Sequence, residues 1–241
     1  ISWFASLSHL LNKTASRNDI SQTNDNRISL QINNIEEILN TVLANKTKTA
    51  RMNYFSKQKE EILSYLQKGG GVQYEKAVQQ LGLWIGLKSE NTTLPSGPDP
   101  WWFIDGHTII VSEIKILDSS TPISSKHIAE FNGHQDWLIN SQEFPYIDKT
   151  MTFKNVLISN SSTLTGDAQK IILQNSLYLN SKDLFRFAQS ALNTVTQIYD
   201  NYYSQGDMLW TLNTRDIISN SCLSAERIFN SLTKKLSELR A

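Results

Sequence analysis

A single cysteine, Cys222, stands in 241 residues, so no internal disulfide framework can staple the fold. No Cys/His spacing suits a structural zinc ion, and a reducing, cytoplasmic setting is the expectation. Net charge is missing too. The 23 Lys and Arg balance 23 Asp and Glu, which removes any global pull toward a polyanion and counts against an autonomous tight binder of nucleic acid. There is no run of about eighteen apolar residues and no secretory leader, so neither membrane spanning nor export is expected. Lys68-Gly69-Gly70-Gly71 lacks the GK[ST] ending of a phosphate-binding loop and reads as a flexible joint. No GxSxG elbow or Cys/His motif supports a covalent hydrolase.

What is present is a chain able to fold, with 39% hydrophobic residues and six Trp. Residues 1 to 26 combine an apolar segment, Trp3 to Leu11, with a Ser/Asn/Asp/Thr-rich stretch that reads as loop. Apolar spacing predicts helices from Ile28 to about Ala44 and from Phe55 to Gln67, the second ending at the glycine triplet. Lys46, Lys48 and Arg51 open the densest basic run, with Lys57 and Lys59 beyond. They are candidate contacts to a nucleic-acid backbone, or else a solvated helix face, which the neighbouring Glu60 and Glu61 favour. After Asn180-Ser181, which has the character of an N-cap, Leu184, Phe187, Ala188, Leu192, Val195 and Ile198 recur at helical spacing. The Asp200 to Gly206 stretch breaks that helix, and another is expected from Ile217 to Leu239.

The chemistry-bearing stretch lies between. Trp101 to Ile104 and Thr108 to Val111 are β-prone runs joined by Asp105-Gly106-His107, a hairpin signature. Alternation puts Glu113 and Lys115 on one face of the second strand and Ile114 on the other. Asp99, between Pro98 and Pro100, sits where the first strand enters and can lie beside Glu113. Two carboxylates and the Ile114 carbonyl are hard donors suited to Mg²⁺ or Mn²⁺. Lys115 is then the group that orients water and offsets charge developing on a phosphate. Taken singly, Asp99 reads equally as a turn former and Lys115 as an edge-strand lysine. His127, Glu130 and His134 share one stripe of a following helix, at a spacing that does not suit a zinc-protease site.

Pro98-Asp99 and Glu113-Ile114-Lys115 together resemble the motif of the PD-(D/E)xK nuclease superfamily. Tyr74 to Gly86 is similar to that superfamily's first core helix. Ile123 to Phe131, with Gly133 and Trp137, is similar to the helix crossing the sheet in nuclease domains attached to superfamily 2 helicases, and Asn155 to Ser159 to the next core strand. The likeness spans roughly residues 70 to 195 and departs at Glu130, where those relatives more often carry Gln.

The resemblance implies an α/β fold: a restriction endonuclease-like core with a central mixed sheet flanked by helices, over residues 68–195. Helical extensions are expected at 1–67 and 196–241. It implies a Mg²⁺- or Mn²⁺-dependent deoxyribonuclease with Asp99, Glu113 and Lys115 in the site and Glu75 as an extra acidic ligand. Glu75 also reads as a first-turn glutamate complementing its helix dipole. Glu130, His134 and Gln135 are auxiliary candidates, His134 or Gln135 as a contact to phosphate or to the attacking water. Expected partners are DNA and a helicase or other ATPase module, in cis or in trans, with a homo-oligomer as a further option. A start at Ile1 suits a piece of a longer protein with such a motor upstream. Two other readings stand beside this one: a catalytically silent nucleic-acid-binding or scaffolding module on the same fold, and a helical interaction protein built on the two extensions.

Overall fold

A computed structural model describes residues 19–44, 46–118, 121–224, 227–228 and 233–239, with side chains from residue 25 onward. The apolar segment Trp3 to Leu11 lies outside the described residues. Three helices lead the chain: α1 (Asp19–Thr41), α2 (Lys48–Lys68) and α3 (Val72–Trp84). Helix α2 begins seven residues before its expected start because Thr47 accepts the Ala50 N–H in its first turn, and α1 likewise extends back to Asp19.

Strands β1 (Lys88–Glu90), β2 (Trp101–Phe103) and β3 (Thr108–Lys115) follow, then α4 (Ser125–Asn140), β4 (Thr152–Ser159), α5 (Gly166–Lys170), β5 (Leu177–Asn180), α6 (Ser181–Asp200), α7 (Met208–Asn220), β6 (Lys234–Lys235) and a 3₁₀ turn at Leu236–Glu238. The expected helix from Ile217 to Leu239 is corrected on both sides. Asp207 caps the Leu209 and Trp210 N–H groups, so α7 starts at Met208, and the chain near residue 234 pairs as a strand. The C-terminal extension is therefore not wholly helical.

The six strands form one mixed sheet in sequential order. β1, β2 and β3 are an antiparallel meander, β3, β4 and β5 run parallel, and β6 closes the far edge antiparallel to β5. The parallel strands end level, with Lys115 opposite Ser159 and Ser159 opposite Asn180. One face of the sheet, carrying Trp102, Ile110, Ile114, Val156, Ile158 and Leu179, packs in a single apolar cluster with α1, α2, α3, α6 and α7. The N-terminal helices thus share the main core rather than standing apart from it. The other face is divided between two smaller clusters, both including residues of α4. Among the described residues no helix is long and apolar enough to cross a membrane.

Helix α1 is tied to the β2–β3 turn by one carboxylate. Asp105 accepts Arg27 Nε at 2.7 Å and the His107 and Thr108 N–H groups at 2.7 and 2.6 Å. Burial opposes its ionisation, but these donors hold it below the ordinary carboxylate range. Its contribution is therefore present above the ordinary carboxylate range and lost as pH falls through the lowered value. Asp105→Ala is expected to cost about 2–3 kcal/mol in urea unfolding at neutral pH, since it strands Arg27 and two turn donors. Asp105→Asn, which keeps an acceptor for the turn, is expected to cost less.

Candidate active site

The site is set by where the β2–β3 ladder stops. Trp101 pairs with Val111 and Phe103 with Ile109, and the Ile104 N–H donates to Thr108 O at 2.9 Å. Continuing that register sets Pro100 opposite Ser112, Asp99 opposite Glu113 and Pro98 opposite Ile114. In an antiparallel pair the residues that exchange hydrogen bonds alternate, and here the even-numbered residues of β3 face β2. Both prolines fall where the ladder needs an N–H, and proline has none. The Ser112 hydroxyl instead donates to Pro100 O, and the Ile114 N–H donates to the Asp99 carboxylate at 2.5 Å. The Ile114 carbonyl shares the side of its own N–H and faces this strand edge beside Asp99, with no ladder donor opposite.

The turn before Asp99 is equally constrained. Gly97 donates its N–H to Leu94 O at 3.1 Å. A Cβ on Gly97 would lie 2.4 Å from Thr92 Cγ2 and 3.3 Å from the Trp137 ring, so a side chain there would have to displace Thr92. Ser96 has a φ of 62°, a left-handed conformation uncommon for a residue with a side chain.

Glu113 is 3% exposed, and both its oxygens are engaged. Lys115 Nζ lies 2.5 Å from Oε1 and His134 Nε2 lies 2.5 Å from Oε2. Lys115 also reaches Glu130 Oε2 at 3.2 Å. Burial alone would raise the Glu113 pKa, but His134 and Lys115 outweigh it and hold the carboxylate below its usual range. Burial likewise opposes charge on Lys115, and Glu113 and Glu130 together keep its pKa above the ordinary lysine value. Asp99 goes the other way. Burial, then repulsion from Glu113 and Glu75, push it up to about 8 despite the Ile114 N–H and Lys115. Glu75, in the first turn of α3, is also raised, by burial and by Glu113, with Lys115 opposing.

Asp99, Glu113, Lys115, Glu130 and His134 line one cavity of about 580 Å³ with Ser96, Gly97, Ala129, Gly133 and Trp137. Glu75 stands within electrostatic reach behind it. Gln135 is not brought in; its Oε1 accepts from Asn155 Nδ2 at 3.2 Å. His127 caps α4, its Nδ1 accepting the Ser124 N–H at 3.2 Å. Ser96 is a wall residue that the sequence did not single out, and Trp137, named through the likeness of its helix, was given no part in the site.

The basic run lies elsewhere. Lys48 pairs with Asp200 at 3.0 Å, at the C-terminal end of α6, whose other end starts beside the level row of strand ends. Further along the run, Lys59 donates to Asn193 on the same helix at 2.6 Å. Lys46 lies over the Tyr54 ring and Arg51 over the Tyr202 ring.

Among the described residues no group of three or more His, Cys, Asp or Glu is arranged to hold a metal ion. Asp99, Glu113 and the undonated Ile114 carbonyl are a smaller set of hard donors, and they suit a cation that keeps most of its water. No protein-family model, curated protein or solved structure matches this chain.

The site carries a pH signature of its own. In the folded chain Asp99 holds its proton up to about pH 8, against an ordinary value of 3.8, so folding takes up a proton in that window and stability falls as pH rises through it. Glu113 has the opposite sign, and its contribution is lost as pH falls through its lowered value. The urea midpoint of the cation-free protein is expected to decline from pH 5 to pH 8, and Asp99→Asn to remove most of that decline. An unchanged slope in the variant would show that Asp99 is not the group responsible.

Proposed function

We propose that this chain is a metal-dependent nuclease that hydrolyses DNA phosphodiesters, on a restriction endonuclease-like core, working with a helicase or another ATPase module. The observation that carries the reading is the meeting of Asp99, Glu113 and Lys115 in one cavity, at the strand edge opened by Pro98 and Pro100 where the Ile114 N–H bonds to Asp99. The order of α3, the β1–β3 meander, α4 and β4 supports it, as does the placement of the cavity beyond the carboxyl end of β3.

In this reading Asp99, Glu113 and the Ile114 carbonyl would hold Mg²⁺ or Mn²⁺. When bound, the ion supplies Lewis-acid polarisation of the phosphate and lowers the pKa of water. Lys115 orients the water that attacks in line with the leaving oxygen and offsets the negative charge developing on the phosphate. Glu130 keeps the Lys115 ammonium at the cavity when Glu113 turns to another cation. Asp99, protonated in the cation-free chain near neutral pH, has to release that proton on binding, so loading strengthens as pH rises. Glu75 adds negative potential behind the pair.

One observation favours a second reading, a silent nucleic-acid-binding or scaffolding module. Both Glu113 oxygens are already satisfied by cationic or donor side chains, so the site is stable without a metal. A single assay separates the two. Labelled linear, circular, single- and double-stranded DNAs are incubated with the protein and Mn²⁺. Cleavage is expected, with complete loss on chelation and a fall of at least about 100-fold in Lys115→Ala and Asp99→Ala. Lys48→Ala is expected to leave the rate unchanged, because that charge is paired at the far end of α6. Binding without cleavage in the wild type would establish the second reading, and chelator-resistant cleavage by the Lys115 and Asp99 variants would remove the first.

A further inference from the structure

His134 is 4% exposed and its Nε2 lies 2.5 Å from Glu113 Oε2, between a strand and a helix that share no other charged contact at this depth except through Lys115. Two features make this more than a buried polar pair. First, the helix that carries the ring is firmly docked. It is anchored in the two clusters on that face of the sheet by Ile128, Phe131 and Leu138, all at 0–1% exposure, and is capped by Ser124 and His127. Second, the carboxylate it holds is the one whose orientation matters. A glutamate has three rotatable side-chain bonds, and in a cavity wall it can turn either oxygen, or both, toward a neighbouring ammonium.

Glu113 is ionised and so accepts only; the bond therefore requires the proton on Nε2, which donates to Oε2. With that oxygen pinned, Oε1 is the one left for the cavity, where Lys115 meets it at 2.5 Å. The neighbouring side chains do not duplicate the effect, since Gln135 bonds to Asn155 and Glu130 bonds to Lys115.

We propose that His134 is a positioning residue that fixes the rotamer of Glu113 and presents Oε1 to a divalent cation. The inference rests on the nuclease reading of the same cavity, and it revises the expectation that His134 touches phosphate or the attacking water. It acts through Glu113 and contacts no substrate. Without the ring, Glu113 is free to take Lys115 with both oxygens, and a cation must displace that closed pair before it binds. Groups that orient a metal ligand in this way are typically worth 10–100-fold in metal affinity.

The test is Mn²⁺ binding to the full cation-free chain, followed by loss of the free-ion electron paramagnetic resonance signal with no DNA present. His134→Leu is expected to weaken binding by about 10–100-fold. His134→Gln, whose amide N–H has a reach close to that of Nε2, is expected to recover most of it, and His134→Asn, one bond shorter, to recover little. The Mn²⁺ concentration needed for half-maximal cleavage is expected to rise in the same order across the three variants. If the leucine variant does not fold by circular dichroism, the contrast between glutamine and asparagine carries the same information. Wild-type affinity in the folded leucine or asparagine variant would overturn the assignment while leaving the nuclease reading intact. No Mn²⁺ binding by the wild type would overturn both.

Discussion

The missing N–H groups of Pro98 and Pro100 are the constraint on which the site depends. Had either residue been able to donate, the β2–β3 ladder would run on beside Ser112 or Ile114. Because neither can, the strand pair parts at Trp101, the Asp99 side chain takes the place of a backbone acceptor for the Ile114 N–H, and a carbonyl is left at the edge. Gly97 completes the arrangement by letting the loop pass between Thr92 and Trp137. The same residues that stop a regular structure thus bring a carboxylate and a carbonyl together.

Electrostatics then divides the carboxylates. Glu113 and Asp99 face one another across the parting strands, both largely buried, yet their pKa values move in opposite directions. His134 and Lys115 compensate Glu113 directly, whereas Asp99 has one backbone donor and two acidic neighbours. Near neutral pH the pair therefore carries close to one negative charge rather than two. That is how three acids and a lysine coexist in a cavity without a cation, and why a cation competes with a proton at Asp99 and with an ammonium at Glu113.

The surrounding fold keeps this cluster in place from two sides. Helix α4 presents Glu130 and His134 from one face of the sheet, and α3 brings Glu75 from the helical layer on the other. The level ends of β3, β4 and β5 put the cavity at the carboxyl edge of the parallel strands, where open α/β sheets leave a crevice. The chain's densest basic run is not part of this surface. Lys48 is drawn to Asp200, Lys46 and Arg51 to the Tyr54 and Tyr202 rings, and Lys59 to Asn193 of α6.

The amino-acid sequence by itself determined the elements with strong local signals. These are the hairpin around Asp105-Gly106-His107, the central strand ending at Lys115, strand β4, the helices of strong apolar spacing and the Asn180 cap, because turn chemistry, alternation and capping act over a few residues. Strands β1 and β6, three and two residues long, are too short to show a period, and β5 runs straight into α6. The start of α7 was hidden because Leu209 and Leu212 face outward and blur its apolar stripe. Motif and spacing were enough to single out Asp99, Glu113 and Lys115. Only the tertiary structure decided that His134 binds Glu113 while Gln135 turns to Asn155, that Glu130 shares Lys115, and that Lys48 lies an entire helix away. Those outcomes depend on how α4 and α6 dock against the sheet, and docking is fixed by packing between residues far apart in the chain, which no local pattern encodes.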